Sequence, residues 1–198
     1  MLVFWKARIV LLSVPKTATS ALIAAYGNQA DMVVRDPPDL KHAPVYRYNR
    51  FFRPMFERMG AENMTLAAVV REPIDWLGSW YRYRKRGFLD GKPTSTRDVS
   101  FDAFCDAYTR GDRPAFADIG SQSKFVAPRP NGVGVTELFR YEQLPLLQDY
   151  LADRTGLRPD LPVTNTSPPA DLTLSTATER RLRRRAADDF ALWDRAAR

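Results

Sequence analysis

The sequence predicts an α/β fold, three layers deep (α/β/α), built on a central, mainly parallel sheet. Three observations carry that expectation. Ile9-Val10-Leu11-Leu12 and Leu66-Ala67-Ala68-Val69-Val70 are short, wholly apolar runs ended by a polar or charged residue. That is the pattern of strands buried on both faces. Each run is followed within a few residues by a helical pattern. Strands alternating with helices argue for parallel pairing with helices on both faces, and ligands of such sheets sit beyond the carboxyl ends of the strands.

Taken in order, the first strand leads through Ser13-Val14-Pro15-Lys16-Thr17-Ala18-Thr19-Ser20 into a helix from Ala21 to Tyr26, stopped at Gly27-Asn28. Asp31 to Val34 predicts a short second strand. The prolines of Asp36-Pro37-Pro38-Asp39 then break regular structure. Tyr46 to Met59, rich in aromatics and arginines and closed by Gly60, predicts a helix. The second apolar run ends in Arg71-Glu72-Pro73, and a helix follows from about Asp75 to Arg86. Gly87 to Ser100 reads as a loop able to cover a site. Ser100 can cap the helix that carries Phe101, Phe104 and Tyr108. Residues 109–132 read as irregular, Val133 to Arg140 as a strand, and Glu142 to Thr155 as a helix ended by Gly156. A proline-rich crossing from Pro159 to Pro169 precedes a last helix, whose capping box is Thr176-Ala177-Thr178-Glu179.

Composition narrows the function. The 198 residues, 44% of them hydrophobic, suffice for one sizeable core and read as a single domain, 1–198. The net charge of +7, from 30 Lys+Arg against 23 Asp+Glu, fits an anionic ligand without demanding one. The single cysteine, Cys105, excludes an internal disulfide and a cysteine-rich zinc site. Its apolar neighbours at helical spacing make it a buried small hydrophobe. No apolar run approaches the ~20 residues that span a bilayer. Met1 to Lys6 has a charge inside its apolar stretch and no small-residue cleavage site, so no secretory signal is expected. These features point to a soluble cytoplasmic protein with no transmembrane segment.

Two constellations can carry chemistry. In the first, Lys16 and the hydroxyls of Thr17, Thr19 and Ser20 stand between a buried strand and a helix start. Backbone N–H groups and the helix dipole gather an anion there. It is not a Walker A loop, for it lacks the glycine pair and its lysine precedes the hydroxyls. An ordinary helix start with capping hydroxyls and a solvated lysine fits it equally well. In the second, Arg71 stands at the carboxyl end of the other buried strand and Ser79 two turns further on. An arginine fork with a serine hydroxyl can receive a second phosphate. The plainer alternative pairs Arg71 with Glu72 or Asp75. Two such candidates on one sheet edge favour a nucleotide with two separate phosphates.

Pro15-Lys16-Thr17-Ala18-Thr19-Ser20 and Val70-Arg71-Glu72-Pro73 with Ser79 together resemble the nucleotide-binding signature of the sulfotransferases. Those enzymes take a sulfuryl group from 3′-phosphoadenosine 5′-phosphosulfate (PAPS) and release 3′,5′-ADP. The resemblance implies a P-loop-like α/β fold. It implies that Lys16, Thr17, Ala18, Thr19 and Ser20 hold the 5′-phosphosulfate, and Arg71 with Ser79 the 3′-phosphate. Ala18 stands where many members carry glycine. Trp80-Tyr81, Phe139-Arg140-Tyr141-Glu142-Gln143-Leu144 and Asn165-Thr166-Ser167 are similar to the branch acting on carbohydrates.

Transfer to an acceptor hydroxyl or amine needs a base. The one histidine, His42, lies between the two nucleotide motifs, has a near-neutral ordinary pKa, and occupies the interval in which one branch of the family carries its base. A surface-loop histidine with no role is the alternative. Glu72 adjoins the phosphate-binding arginine and Glu57 lies in a charged helix, so both are weaker candidates. Lys16 would also stabilise charge on the leaving group. No metal is expected, nor a nucleic-acid partner. The acceptor (a glycan, lipid or small molecule) and the oligomeric state stay open. Gln122, Ser123 and Lys124 are candidates for a pocket edge. Arg180, Arg181 and Arg183 to Arg185 read as a solvated helix face, with an anionic acceptor or membrane surface as the alternative. Two rival functions remain: a nucleotide-dependent kinase, and a non-catalytic binder of sulfated glycan or nucleic acid.

Overall fold

A computed structural model describes residues 1–164 and 167–196. Its sheet has five strands in the order β3-β1-β2-β4-β5. These are β1 (Leu2–Phe4), β2 (Ile9–Leu12), β3 (Met32–Val33), β4 (Thr65–Val70) and β5 (Glu137–Arg140). β2, β4 and β5 run parallel, each ladder registering four residue pairs. β1 is antiparallel to both β2 and β3 through shorter ladders. The sheet is therefore mixed, and the expectation of a mainly parallel sheet holds for the half built on β2, β4 and β5. β1 is missed by the sequence pattern because the strand itself is only three residues long. The charges Lys6 and Arg8 that make the stretch look interrupted fall in the turn to β2, where Arg8 adopts φ 57°.

Period-two alternation sends neighbouring side chains to opposite faces. Val10, Leu12, Leu66, Ala68 and Val70 enter one buried cluster with Tyr48, Phe52, Phe56, Phe125 and Leu192. Ile9, Leu11, Ala67, Val69 and Phe139 enter another with Leu22, Ile23, Tyr26, Leu147 and Leu151. Helices thus cover both faces. On the second face lie α1 (Thr19–Tyr26) and, further along the chain, the helix at Leu144–Thr155. The first is covered by a segment after the short α2 (Pro38–Lys41). There α3 (Val45–Arg47) passes through a π-helical turn at Tyr48–Phe52 into α4 (Arg53–Arg58). The predicted helix at 46–59 is thus one continuous helical segment with a local widening.

α5 (Pro73–Arg84), α6 (Phe101–Tyr108), α7 (Gln122–Val126) and α8 (Leu144–Thr155) follow. Ser100 caps α6 as expected, accepting from the Ala103 N–H. Cys105 is buried in a third cluster with Trp76, Tyr81 and Leu182, and burial pushes its thiol pKa up. The last predicted helix is two, α9 (Thr176–Arg185) and α10 (Ala187–Arg195). Its cap is Ser175, one residue before the expected box, because Ser175 Oγ accepts from the Thr178 N–H. Among the described residues no helix is long and apolar enough to cross a membrane.

Candidate functional site

The carboxyl ends of the three parallel strands deliver the Pro15–Ser20 loop, Arg71 and Tyr141 to one edge of the sheet. The first loop is bent. Lys16 and Ala18 both have positive φ, 69° and 61°, a region that L side chains enter at a cost of ~1–2 kcal/mol each. Ala18 therefore has the conformation a glycine would favour. Ala18 is the N-cap of α1 but provides no side-chain cap, and the first turn holds no acid. Among the described residues, the N–H groups of residues 16–20 have no hydrogen-bond acceptor. Thr17 Oγ1 is buried and donates to the Val14 carbonyl at 2.8 Å, so Thr17 offers the loop rim its backbone N–H. Thr19 is nearly buried and Ser20 half-buried at the first turn of α1.

The loop is stitched to the β4 side. The Trp76 indole N–H donates to the Pro15 carbonyl at 2.9 Å, and Arg71 Nη1 donates to the Lys16 carbonyl at 3.3 Å. Arg71 Nε donates to Asp75 at 2.6 Å, so the predicted ion pair with Asp75 is present. The guanidinium also lies 4.1 Å from the centre of the Tyr141 ring. Ser79 is half-buried on α5, and its spacing sets it on the helix face between Asp75 and Arg82.

Lys16 folds back over α5. Its Nζ is 4.2 Å from the Tyr83 ring centre and 5.5 Å from that of Trp80. Burial, and then Arg86, Arg71 and Arg82, lower its pKa from 10.5 to about 8. Four cations thus share this edge with Asp75 as the carboxylate paired to Arg71 and Arg82. Beside them the Trp80 indole N–H is buried without an acceptor among the described residues. A buried donor with no partner is costly.

His42 joins the same edge from the end of α2. Its Nδ1 lies 2.7 Å from the Ser13 carbonyl. A carbonyl only accepts, so Nδ1 carries the proton and Nε2 keeps the lone pair. Burial is the main cause lowering its pKa below 6.5, against the opposing Ser13 bond, with Lys41, the N-terminal ammonium and Lys16 adding to the lowering. The imidazole is therefore neutral at pH 7 and equipped to accept a proton.

Several contributors were not singled out from sequence. Arg82 and Tyr83 on α5, with Arg86 just beyond its end, extend the cation and aromatic set; their spacing from Trp80 was the available signal. Gln122 is buried and its amide clamps Arg71, accepting from the Arg71 N–H and donating to its carbonyl, both at 2.8 Å. It holds the end of β4 rather than edging a pocket. Ser123 N–H donates to the buried Asp189 of α10 at 2.7 Å, anchoring that clamp.

Other expectations find different work. Glu72 caps α5 by accepting from the Asp75 N–H, and Glu57 pairs with Arg53 at 2.6 Å. Of the arginine run, Arg181 pairs with Asp106, and Arg183 with Glu179. Thr96 pins the 87–100 loop to the end of α5, and Phe88 of that loop packs edge-on against the Tyr83 ring over which Lys16 lies. Asn165 and Thr166 lie outside the described residues, whereas Ser167 Oγ accepts from Arg86 at 3.3 Å.

Two surface hollows, about 510 and 480 Å³, are lined by Trp5, Met55 and their neighbours and by Arg97 to Asp102 with Tyr81. Neither is lined by Lys16, Arg71 or His42. No group of three or more His, Cys, Asp and Glu suited to a metal is found among the described residues. No family model, curated protein or solved structure matches the chain.

Proposed function

We propose that the chain is a PAPS-dependent sulfotransferase, moving a sulfuryl group to a hydroxyl or amine of a glycan, lipid or small-molecule acceptor on a P-loop-like α/β scaffold. One observation carries the reading: the uncapped start of α1 adjoins Lys16, Arg71, Arg82 and Arg86. Open N–H groups, an unopposed helix dipole and four cations make a receptor for a multiply charged phosphate ester. The resemblance of both motifs to the sulfotransferase signature selects PAPS among such esters.

The residues fit that donor. Lys16, the N–H groups of residues 16–20 and the hydroxyls of Thr19 and Ser20 would hold its 5′ end, and Arg71 with Ser79 its 3′-phosphate. Bound PAPS supplies the activated sulfuryl group and, as the bond to sulfur breaks, a phosphate leaving group. His42 Nε2 takes the proton of the acceptor as its oxygen or nitrogen attacks sulfur. Lys16 Nζ offsets the charge gathering on the leaving side. Positioning and such prearranged charge supply most of the rate, as in phosphoryl transfer.

The test is thermal stabilisation by 3′,5′-ADP, against Mg-ATP and heparin, followed by transfer from labelled PAPS to an acceptor panel. Stabilisation by 3′,5′-ADP that is lost in Arg71→Ala is expected. Stabilisation by heparin alone, or by Mg-ATP in preference, would overturn the reading. Transfer should fail in His42→Ala while 3′,5′-ADP still binds; full transfer by that variant would move the base elsewhere.

A further inference from the structure

Among the described residues, the large hydrophobic side chains left exposed are Leu40, Tyr46, Phe51, Met55, Met59, Phe88 and Val163. Five of these seven fall between residues 40 and 59. The helical segment α3–α4 explains the concentration. It buries Tyr48, Phe52 and Phe56 against the sheet, and four-residue spacing lines up Phe51, Met55 and Met59 on the outer side. Their exposures are 56%, 41% and 70%. Met55 and Met59 also line the open 510 Å³ hollow with Trp5, Met32 and Phe56, and Lys6 and Asp31 complete its lining.

Basic groups outnumber acidic ones around this ridge, although Asp31, Asp36 and Glu62 are also exposed without an ion pair to a described residue. Lys6, Arg8, Arg50 and Arg58 are exposed, and none forms an ion pair with a described residue. Arg50 lies 5.4 Å from the Phe51 ring centre, Arg47 5.7 Å from that of Tyr46 and Arg8 5.9 Å from that of Trp5. Of the acids nearby, Glu57 is paired to Arg53 and Asp39 to Arg47, and an Asp31 oxygen accepts the Trp5 N–H. Along this segment the exposed Phe51, Met55 and Met59 are interleaved with the exposed Arg50 and Arg58, and Trp5 packs on the Phe56 ring beside them. That arrangement of side chains suits a helix lying in the interface of an anionic bilayer. A protein partner would have to bring matching carboxylates and a shaped surface, whereas a bilayer accepts irregular, flexible Met and Phe side chains without one.

We propose that the 40–59 face, with Trp5, Lys6 and Arg8, is a peripheral docking surface for anionic lipid membranes. It does not depend on the sulfotransferase reading. Apolar insertion and attraction of the basic groups act together, so binding needs both signals and weakens as salt screens the charges.

Co-sedimentation of the whole chain with phosphatidylcholine vesicles, with and without phosphatidylserine, tests this. The chain should sediment with the mixed vesicles and not with pure phosphatidylcholine, and less at high salt. Phe51→Ser/Met59→Ser should weaken partitioning about tenfold or more. Arg50→Ala/Arg58→Ala should weaken it about fivefold per arginine. Both pairs are exposed, so melting temperatures should stay near the parent's, and the comparison is made on variants that melt normally. Failure of the parent to bind mixed vesicles, or equal binding by both variants, overturns the proposal. So does a dimer in light scattering that dissociates in Phe51→Ser/Met59→Ser, which would assign the face to a second copy of the chain.

Discussion

The loops after β2 and β4 leave the same sheet edge and both lead into helices, yet they end in opposite electrostatic states. α1 begins at an alanine in the left-handed region, with no side-chain cap and no acid in its first turn. α5 begins with Glu72, whose carboxylate takes the Asp75 N–H, with Pro73 and Asp75 in the first turn. The second helix start is satisfied by its own chain, while the first has no side-chain cap. Any anion held after β4 must therefore be held by the Arg71 side chain, whereas an anion after β2 meets backbone N–H groups and the helix dipole directly. The same motif position can be a structural cap or a receptor, and the caps decide which.

This contrast orders the variants. Lys16→Met should have the largest effect, lowering transfer about 10²–10³-fold by removing charge at the leaving side, while calorimetry shows 3′,5′-ADP affinity reduced to that of the 3′-phosphate alone. Its melting temperature without ligand should hold or rise, since a buried ammonium with a lowered pKa is replaced by an apolar chain of similar length. Arg71→Ala comes next. It removes charged hydrogen bonds of ~1.5–3 kcal/mol each and should weaken 3′,5′-ADP about 10–100-fold in the same measurement.

The cap of the closed helix should behave differently. Glu72→Ala should cost ~1 kcal/mol of stability in denaturant unfolding with nucleotide affinity nearly unchanged. An affinity loss as large as that of Arg71→Ala would break the distinction between the two helix starts. The smallest effect belongs to Ala18→Gly, which relieves the positive φ and should stabilise by about 1 kcal/mol or less.

Acidity sharpens the contrast further. Lys16 has a folded pKa of about 8 against 10.5, so between those values the unfolded chain binds more protons. Its contribution therefore makes the ligand-free protein more stable as pH rises from about 8 to 10.5. Affinity for 3′,5′-ADP should fall over the same range, because the ammonium it meets is lost. A kcat/KM profile should show an alkaline limb near 8 from Lys16 and an acid limb below 6.5 from His42.

The parallel half of the fold was legible because Ile9–Leu12 and Leu66–Val70 are apolar on both faces, and few other structures bury such runs. β1 was not, since three residues are too few to display a period and Lys6 and Arg8 belong to its turn. Within the site, the positions of Lys16 and Arg71 on one edge followed from strand ends, whereas His42 was singled out by the resemblance and its place on that edge came only with its bond to Ser13. The positive φ at Lys16 and Ala18 did not, since neither is a glycine. Nor did the Gln122 clamp, which joins residues 51 apart in sequence. Arg82 and Arg86 had only their spacing from Trp80 as a signal, and their role showed once the Lys16 side chain was seen to lie over Tyr83.

The most direct test of the two-receptor account compares the affinities of 3′,5′-ADP, adenosine 5′-phosphate and adenosine 3′-phosphate for the parent, Lys16→Met and Arg71→Ala. The account predicts that the parent prefers the bisphosphate over both monophosphates. Arg71→Ala should bind the bisphosphate no better than the 5′-phosphate, and Lys16→Met no better than the 3′-phosphate. If Arg71→Ala kept the parent's preference for the bisphosphate over the 5′-phosphate, Arg71 would hold no 3′-phosphate and the account would be contradicted.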